Sequence, residues 1–144
     1  MFIISLSPVT NGNTYSAFHT HTNAVYKWFD KLHEKNINVF SYVIMSNHLH
    51  VILHFPTMPK SLNTVIGNAK RFMAYDIIKG LENYKEFLLL EDLQSRVSKR
   101  EQTKGQKHKV FEESFDAKEC QSLKFILEKI KYIHHNPVSK RWSR

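Results

Sequence analysis

Two short runs of this sequence carry side chains that could act together on a substrate. In NHLHVILHF, His48 and His50 stand two positions apart in a stretch rich in β-branched and other apolar residues. Side chains alternate along a strand, so His48, His50, Ile52 and His54 share one face, while Leu49, Val51, Leu53 and Phe55 share the other, which reads as core. Two imidazoles at this spacing have Cβ atoms roughly 7 Å apart and can converge on one cation; His54, about 13 Å beyond His50, is too far to join easily. An isolated pair of this kind is most often only the wet face of an antiparallel sheet. His19 and His21 in FHTHT fall in a polar, loop-like stretch and are given no role.

The second run is LKFILEKIKYIHHN. At about 100° per residue, Leu123, Ile126, Leu127, Ile130 and Ile133 form one apolar stripe. Phe125, Lys129, Tyr132 and Asn136 lie on nearly the opposite side at three- and four-residue spacings, so a phenol, an amide and an ammonium can face one cleft. A tyrosine so placed is usually just a half-buried amphipathic residue. The histidine pair changes that reading, because an activated phenol can attack a phosphodiester when a divalent cation stabilises charge on the phosphate or the leaving oxygen.

Separate elements must bring these groups together. Residues 2 to 9 read as a strand, and TNGNT as a loop. A helix is predicted from Thr22 to Lys35 on the spacing of Val25, Trp28, Phe29 and Leu32, with Thr22 or Asn23 as cap. Ile37–Met45 and HLHVILHF form a hairpin that breaks at Ser46 and Asn47. Ser61 can cap a second helix that buries Val65, Ile66, Ala69, Phe72, Met73 and Ile77 and ends at Gly80. FLLLEDLQ starts an amphipathic helix that passes into a lysine-rich stretch around Gly105, expected to be a mobile loop. A short strand is predicted at Val110–Phe115, then a helix from Ser122 to His135 that Pro137 stops. This order predicts an α+β fold, an antiparallel sheet with helices in a split βαβ layout.

A chain of 144 residues fits one domain, residues 1–144, with enough apolar content to bury a core. The lone Cys120 excludes an internal disulfide, and the start lacks a secretory pattern, so a reducing cytoplasm is expected. No run is apolar enough for a membrane span. A net charge of +8 attracts polyanions, nucleic acid first. The candidate DNA contacts between the two motifs are Lys70 and Arg71, then a cluster of Arg96, Lys99, Arg100, Lys104, Lys107 and Lys109. Lys129, Lys140 and Arg141 follow near the tyrosine.

YVIMSNHLHVIL resembles the histidine–hydrophobic–histidine motif of the HUH endonuclease superfamily, and YIHHNPV resembles the tyrosine helix of its REP-associated tyrosine transposase branch. The resemblance implies the ferredoxin-like split βαβ sandwich of HUH transposases. It implies His48, His50 and Asn136 as ligands of magnesium or manganese, and Tyr132 as nucleophile. The substrate implied is single-stranded or hairpin DNA, nicked and rejoined through a 5′-phosphotyrosine link. Relatives include monomers and dimers, so a homodimer stays open. Phe111 departs from the pattern, standing where relatives often carry tryptophan. Two other readings remain beside this one: a catalytically silent DNA-binding module derived from a transposase, and an unrelated metallohydrolase.

Overall fold

The computed structural model describes residues 1–9, 22–45 and 48–135. The TNGNT loop, His19, His21, the Ser46–Asn47 break, Asn136, Pro137, Lys140 and Arg141 lie outside the described residues. Four strands, β1 (Phe2–Leu6), β2 (Asn38–Ile44), β3 (Leu49–His54) and β4 (Asp116–Glu119), form an antiparallel sheet in the order β2-β3-β1-β4. The helices are α1 (Asn23–Glu34), α2 (Leu62–Asn83), α3 (Phe87–Ser95), α4 (Lys99–Thr103) and α5 (Leu123–His135). Because β3 lies between β1 and β2, the β1–α1–β2 unit is split as the element order predicts.

The alternation read from NHLHVILHF positions the sheet. Leu49, Val51, Leu53 and Phe55 are buried in one core with Ile4 and Leu6 of β1. α1 adds Val25, Trp28 and Leu32, and α2 adds Ile66, Ala69, Met73, Ile77 and Leu81. Each such aliphatic side chain, fully removed from water, contributes roughly 2 kcal/mol. On the other face Ser5 of β1 and Val43 of β2 pair with His50, while Ile3 and Ser41 pair with Ile52.

The structure departs from the sequence expectations in five places. α2 runs through Gly80, because Leu81 sits in the core and holds one more turn; the chain turns at Lys85, in the left-handed region at φ 57°. Phe72, expected inside, is 59% exposed on the outer face of α2. The lysine-rich stretch is built around α4, where Ser98 and Glu101 cap each other reciprocally and Lys109 pairs with Glu101 at 3.0 Å. The fourth strand is Asp116–Glu119 rather than 110–115: Val110 and Phe111 turn into the core and meet residues 7–9 only through an isolated antiparallel bridge between Pro8 and Phe111, while the carbonyls of 112–114 are taken by Lys70. α5 buries Ile133 and half-buries Ile126 and Ile130, yet leaves Leu123 and Leu127 71% and 50% exposed, since the helix packs on β2 without covering its first turns.

Candidate active site

The backbone N–H of Met45 donates to the His48 carbonyl at 2.8 Å, closing the β2–β3 hairpin and seating His48 just ahead of β3. One residue later Leu49 enters the core, so His50 returns to the face of His48. The two imidazole centroids are 4.4 Å apart, with the rings at 80°. Burial lowers the pKa of His48. Burial, reinforced by the nearby charge His48 can carry, brings His50 down to about 4. Both effects favour neutral imidazole, the form whose lone pair can ligate a metal.

The tyrosine reaches this pair through two anchors on α5. Ile133 is fully buried, and a hydrogen bond of 3.1 Å joins Ser41 Oγ on β2 to His134 Nε2. Between them they set the last turns of the helix over β2, and the Tyr132 ring comes to 6.2 Å from the His50 ring at 68°. The Tyr132 side remains 56% exposed, open to a substrate from solvent. Lys129 Nζ lies 5.6 Å from the Tyr132 centroid and 5.1 Å from that of Phe125, a cation held between two aromatic faces. His54 is at the far end of β3, edge-on to Phe40 at 5.9 Å and beside Asn38, apart from the pair as its spacing implied.

As a donor set, the two neutral imidazoles fit part of a divalent-cation site. Among the described residues no group of three histidine, cysteine or acidic side chains is close enough to hold a metal. Any third protein ligand must therefore be of another type or come from outside them, as Asn136 would.

The basic candidates divide by what they already bind. Lys70 Nζ donates to the carbonyls of Glu112, Glu113 and Ser114 at 2.8, 3.1 and 2.8 Å, which uses all three ammonium protons. Arg96 is engaged by Asp92 at 3.0 Å, and Lys109 by Glu101, both ends of that second pair being less than a fifth exposed. Arg71 bonds Asn68 at 3.2 Å and lies over Phe72. Lys99, Arg100, Lys104 and Lys107 are exposed, with side chains reaching water. Two residues that position the tyrosine, Ser41 and His134, were not singled out in the sequence; His134 looks there like one more member of a histidine run, and nothing marks Ser41.

No family model matches the chain, and no curated protein sequence matches it. Among solved structures, it is similar to a REP-associated tyrosine transposase described as bound to a REP hairpin. The TM-score is 0.59 over 98% of this chain and 68% of that one, at 12% identity. The fold is shared with a tyrosine transposase. At that identity the likeness is one of backbone architecture, and the transposase-like fold here carries an imidazole pair and a phenol meeting on the sheet face opposite α1 and α2. Among the described residues, no helix is long and apolar enough to cross a membrane.

Proposed function

We propose that this chain is a metal-dependent tyrosine transposase that nicks single-stranded DNA beside a hairpin and rejoins strands through a 5′-phosphotyrosine link. The observation that carries the reading is the meeting of Tyr132 with His50 at 6.2 Å, beside His48 at 4.4 Å, on a fold shared with a tyrosine transposase. In the reaction, Tyr132 Oη bonds to phosphorus and the bond from phosphorus to the 3′ oxygen breaks. The phenolic proton passes to solvent, and the departing oxygen takes one up as a 3′-hydroxyl. Rejoining reverses this: a 3′-hydroxyl attacks the phosphotyrosine, and the phenol leaves.

His48 and His50, with Asn136 as third donor, would hold magnesium or manganese, which polarises a phosphoryl oxygen and stabilises charge on the leaving oxygen. The chain's own part is orientation. Ile133 and the Ser41–His134 bond fix the helix that presents Tyr132, and Lys129 over the ring adds positive charge where phosphate approaches. The phenol and both imidazoles come together within one chain, which supports a site that acts without a partner's tyrosine.

The test is a labelled single-stranded hairpin with a single-stranded flank, incubated with protein and manganese and run on a denaturing gel. A covalent adduct is expected from the wild type and none from Tyr132→Phe. His50→Ala should lose the adduct and keep most hairpin affinity, since surface charge supplies binding and the cation supplies chemistry. Tight binding without an adduct across a panel of hairpins would leave a silent DNA-binding module. Hydrolysis surviving in Tyr132→Phe and lost in His48→Ala would point to a metallohydrolase instead.

A further inference from the structure

A long groove runs along α2 on the side of the molecule away from Tyr132. Its larger section, about 990 Å³, lies between α2 and the segment from Glu101 to Glu113; a second section of about 530 Å³ continues beside Leu62, Gly67 and Phe115. Lys70 and Glu113 line both, so the two sections adjoin and together follow most of the helix.

Tyr75 lines this groove, and Phe72 stands beside it on the exposed surface of α2, outside the lining. Phe72 and Tyr75, three residues apart and 59% and 64% exposed, are neighbours on the outer face of α2. Two large rings left in water contribute nothing to the core of this protein. Cations bracket them: Arg71 lies 5.5 Å from the Phe72 centroid, and Lys79 stands one turn beyond Tyr75. Across the groove are Lys104 and Lys107. The carboxylate of Glu101 is taken by Lys109, which leaves Glu82, Glu112 and Glu113 as the acids of the wall. Glu112 and Glu113 lie beside Lys70, whose ammonium binds their carbonyls, and Glu82 stands three residues past Lys79, whereas the two rings themselves are flanked by Arg71 and Lys79. Exposed rings interleaved with cations are the chemistry that holds single-stranded nucleic acid, bases stacking on rings while ammonium and guanidinium groups meet phosphates.

We propose that Phe72 and Tyr75, flanked by Arg71 and Lys79, form a stacking platform for unpaired bases of single-stranded DNA on the opposite layer from the tyrosine centre. The proposal rests on the reading that this chain handles single-stranded DNA, and assigns it a second contact surface. A strand held there stays bound while its other part reaches Tyr132, so the platform contributes to affinity and leaves the chemistry alone.

The experiment is fluorescence anisotropy with labelled dT12 and with a duplex of about the same length, a span ordinary for single-strand sites. Phe72→Ala and Tyr75→Ala should each weaken dT12 binding about fivefold or more, and the double variant about thirtyfold. Tyr75→Phe, which keeps the stacking face, should bind within about twofold of wild type by the same reasoning. Phe87→Ala, a control ring exposed on α3 rather than α2, should change nothing. Several results would overturn the platform: no measurable affinity of the wild type for dT12, an unchanged constant in the double variant, or equal losses for single strand and duplex. A double variant whose sedimentation mass drops from dimer to monomer would also overturn it, by making this face a contact between copies. The adduct assay separates the two proposals. An adduct from the wild type with dT12 affinity indifferent to both rings sinks the platform and leaves the transposase reading. Ring-dependent affinity without any adduct supports the platform and sinks the catalytic reading.

Discussion

Replacing Lys70 with methionine separates two roles open to a lysine in this position, clamp and phosphate contact. Its ammonium donates to three successive carbonyls at 2.8, 3.1 and 2.8 Å, and lies 5.3 Å from the Phe115 ring centroid. Methionine keeps the packing of the stem and returns the three carbonyls to water. Hydrogen bonds to a charged group are worth roughly 1.5–3 kcal/mol each, so the gross loss for the three is about 4.5–9 kcal/mol. Much of that is offset. Burial of the ammonium lowers its pKa against the opposing pull of Glu112 and Glu113, and the freed carbonyls find solvent. A net cost of about 2–3 kcal/mol is expected, lowering the melting temperature by roughly 10 °C for a chain of this size. Circular dichroism measures it. DNA affinity should fall little, and the slope of log Kd against log salt should stay the same, since no ammonium proton is left for a phosphate. A melting temperature within about 2 °C of wild type, together with a shallower salt slope, would refute the clamp and make Lys70 a phosphate contact.

Three further outcomes are expected. Ser41→Ala removes the bond to His134 and should slow tyrosine-adduct formation about tenfold with hairpin affinity intact; an unchanged rate would mean that α5 is aligned without it. Charge reversal at Lys104 and Lys107 should flatten the salt dependence by about 0.7 per lost contact to a single strand, whereas Arg96→Gln, already engaged by Asp92, should leave the slope alone. If only the Arg96 variant moved the slope, the exposed lysines would not be the contacts. His50, held at about 4 against an ordinary 6.5, is neutral in the fold while the unfolded chain takes up a proton between those values. Its contribution to stability is whole above about pH 6.5 and is lost as pH falls toward 4. At 1.36 kcal/mol per unit the shift amounts to about 3 kcal/mol, reduced to roughly 1–2 because the ring is partly open to solvent. Urea midpoints should accordingly drop more on acidification in the wild type than in His50→Gln, and equal drops would count against it.

What the sequence made legible follows strong local physics. Two-residue alternation in β3 sorted its histidines from its core side chains, because a core face admits no exception where Leu49, Val51 and Leu53 are fully buried. The Ser61 cap is there, its hydroxyl accepting from the Thr64 N–H at 3.2 Å. The split sheet came from element order alone, and the juxtaposition of His48, His50 and Tyr132 was foreseen by pairing the two motifs. β4 was misplaced because DAKE has no apolar alternation; its pairing with β1 is made by backbone, which side-chain patterns do not report. Gly80 looked like a stop only because its neighbour Leu81 was not known to be core. The basic residues looked alike in sequence, and only the fold tells Lys70, bound to three carbonyls, from Lys104, which faces water. Phe72 obeyed the helical period yet faces out, since the stripe that α2 buries is narrower than its run of apolar residues.

The borders of the sheet have a consequence for self-association. One border, β4, is four residues long and offers Asp116, Lys118 and Glu119 to an approaching backbone; the other, β2, has a broken register between Val39 and Ser41. Neither gives a second molecule a straight ladder of amides to continue, and desolvating three ionised groups opposes any attempt at one border. Among the described residues, neither sheet border invites a second copy to extend the sheet, and β3, which bears His50, is enclosed by a neighbouring strand on each flank.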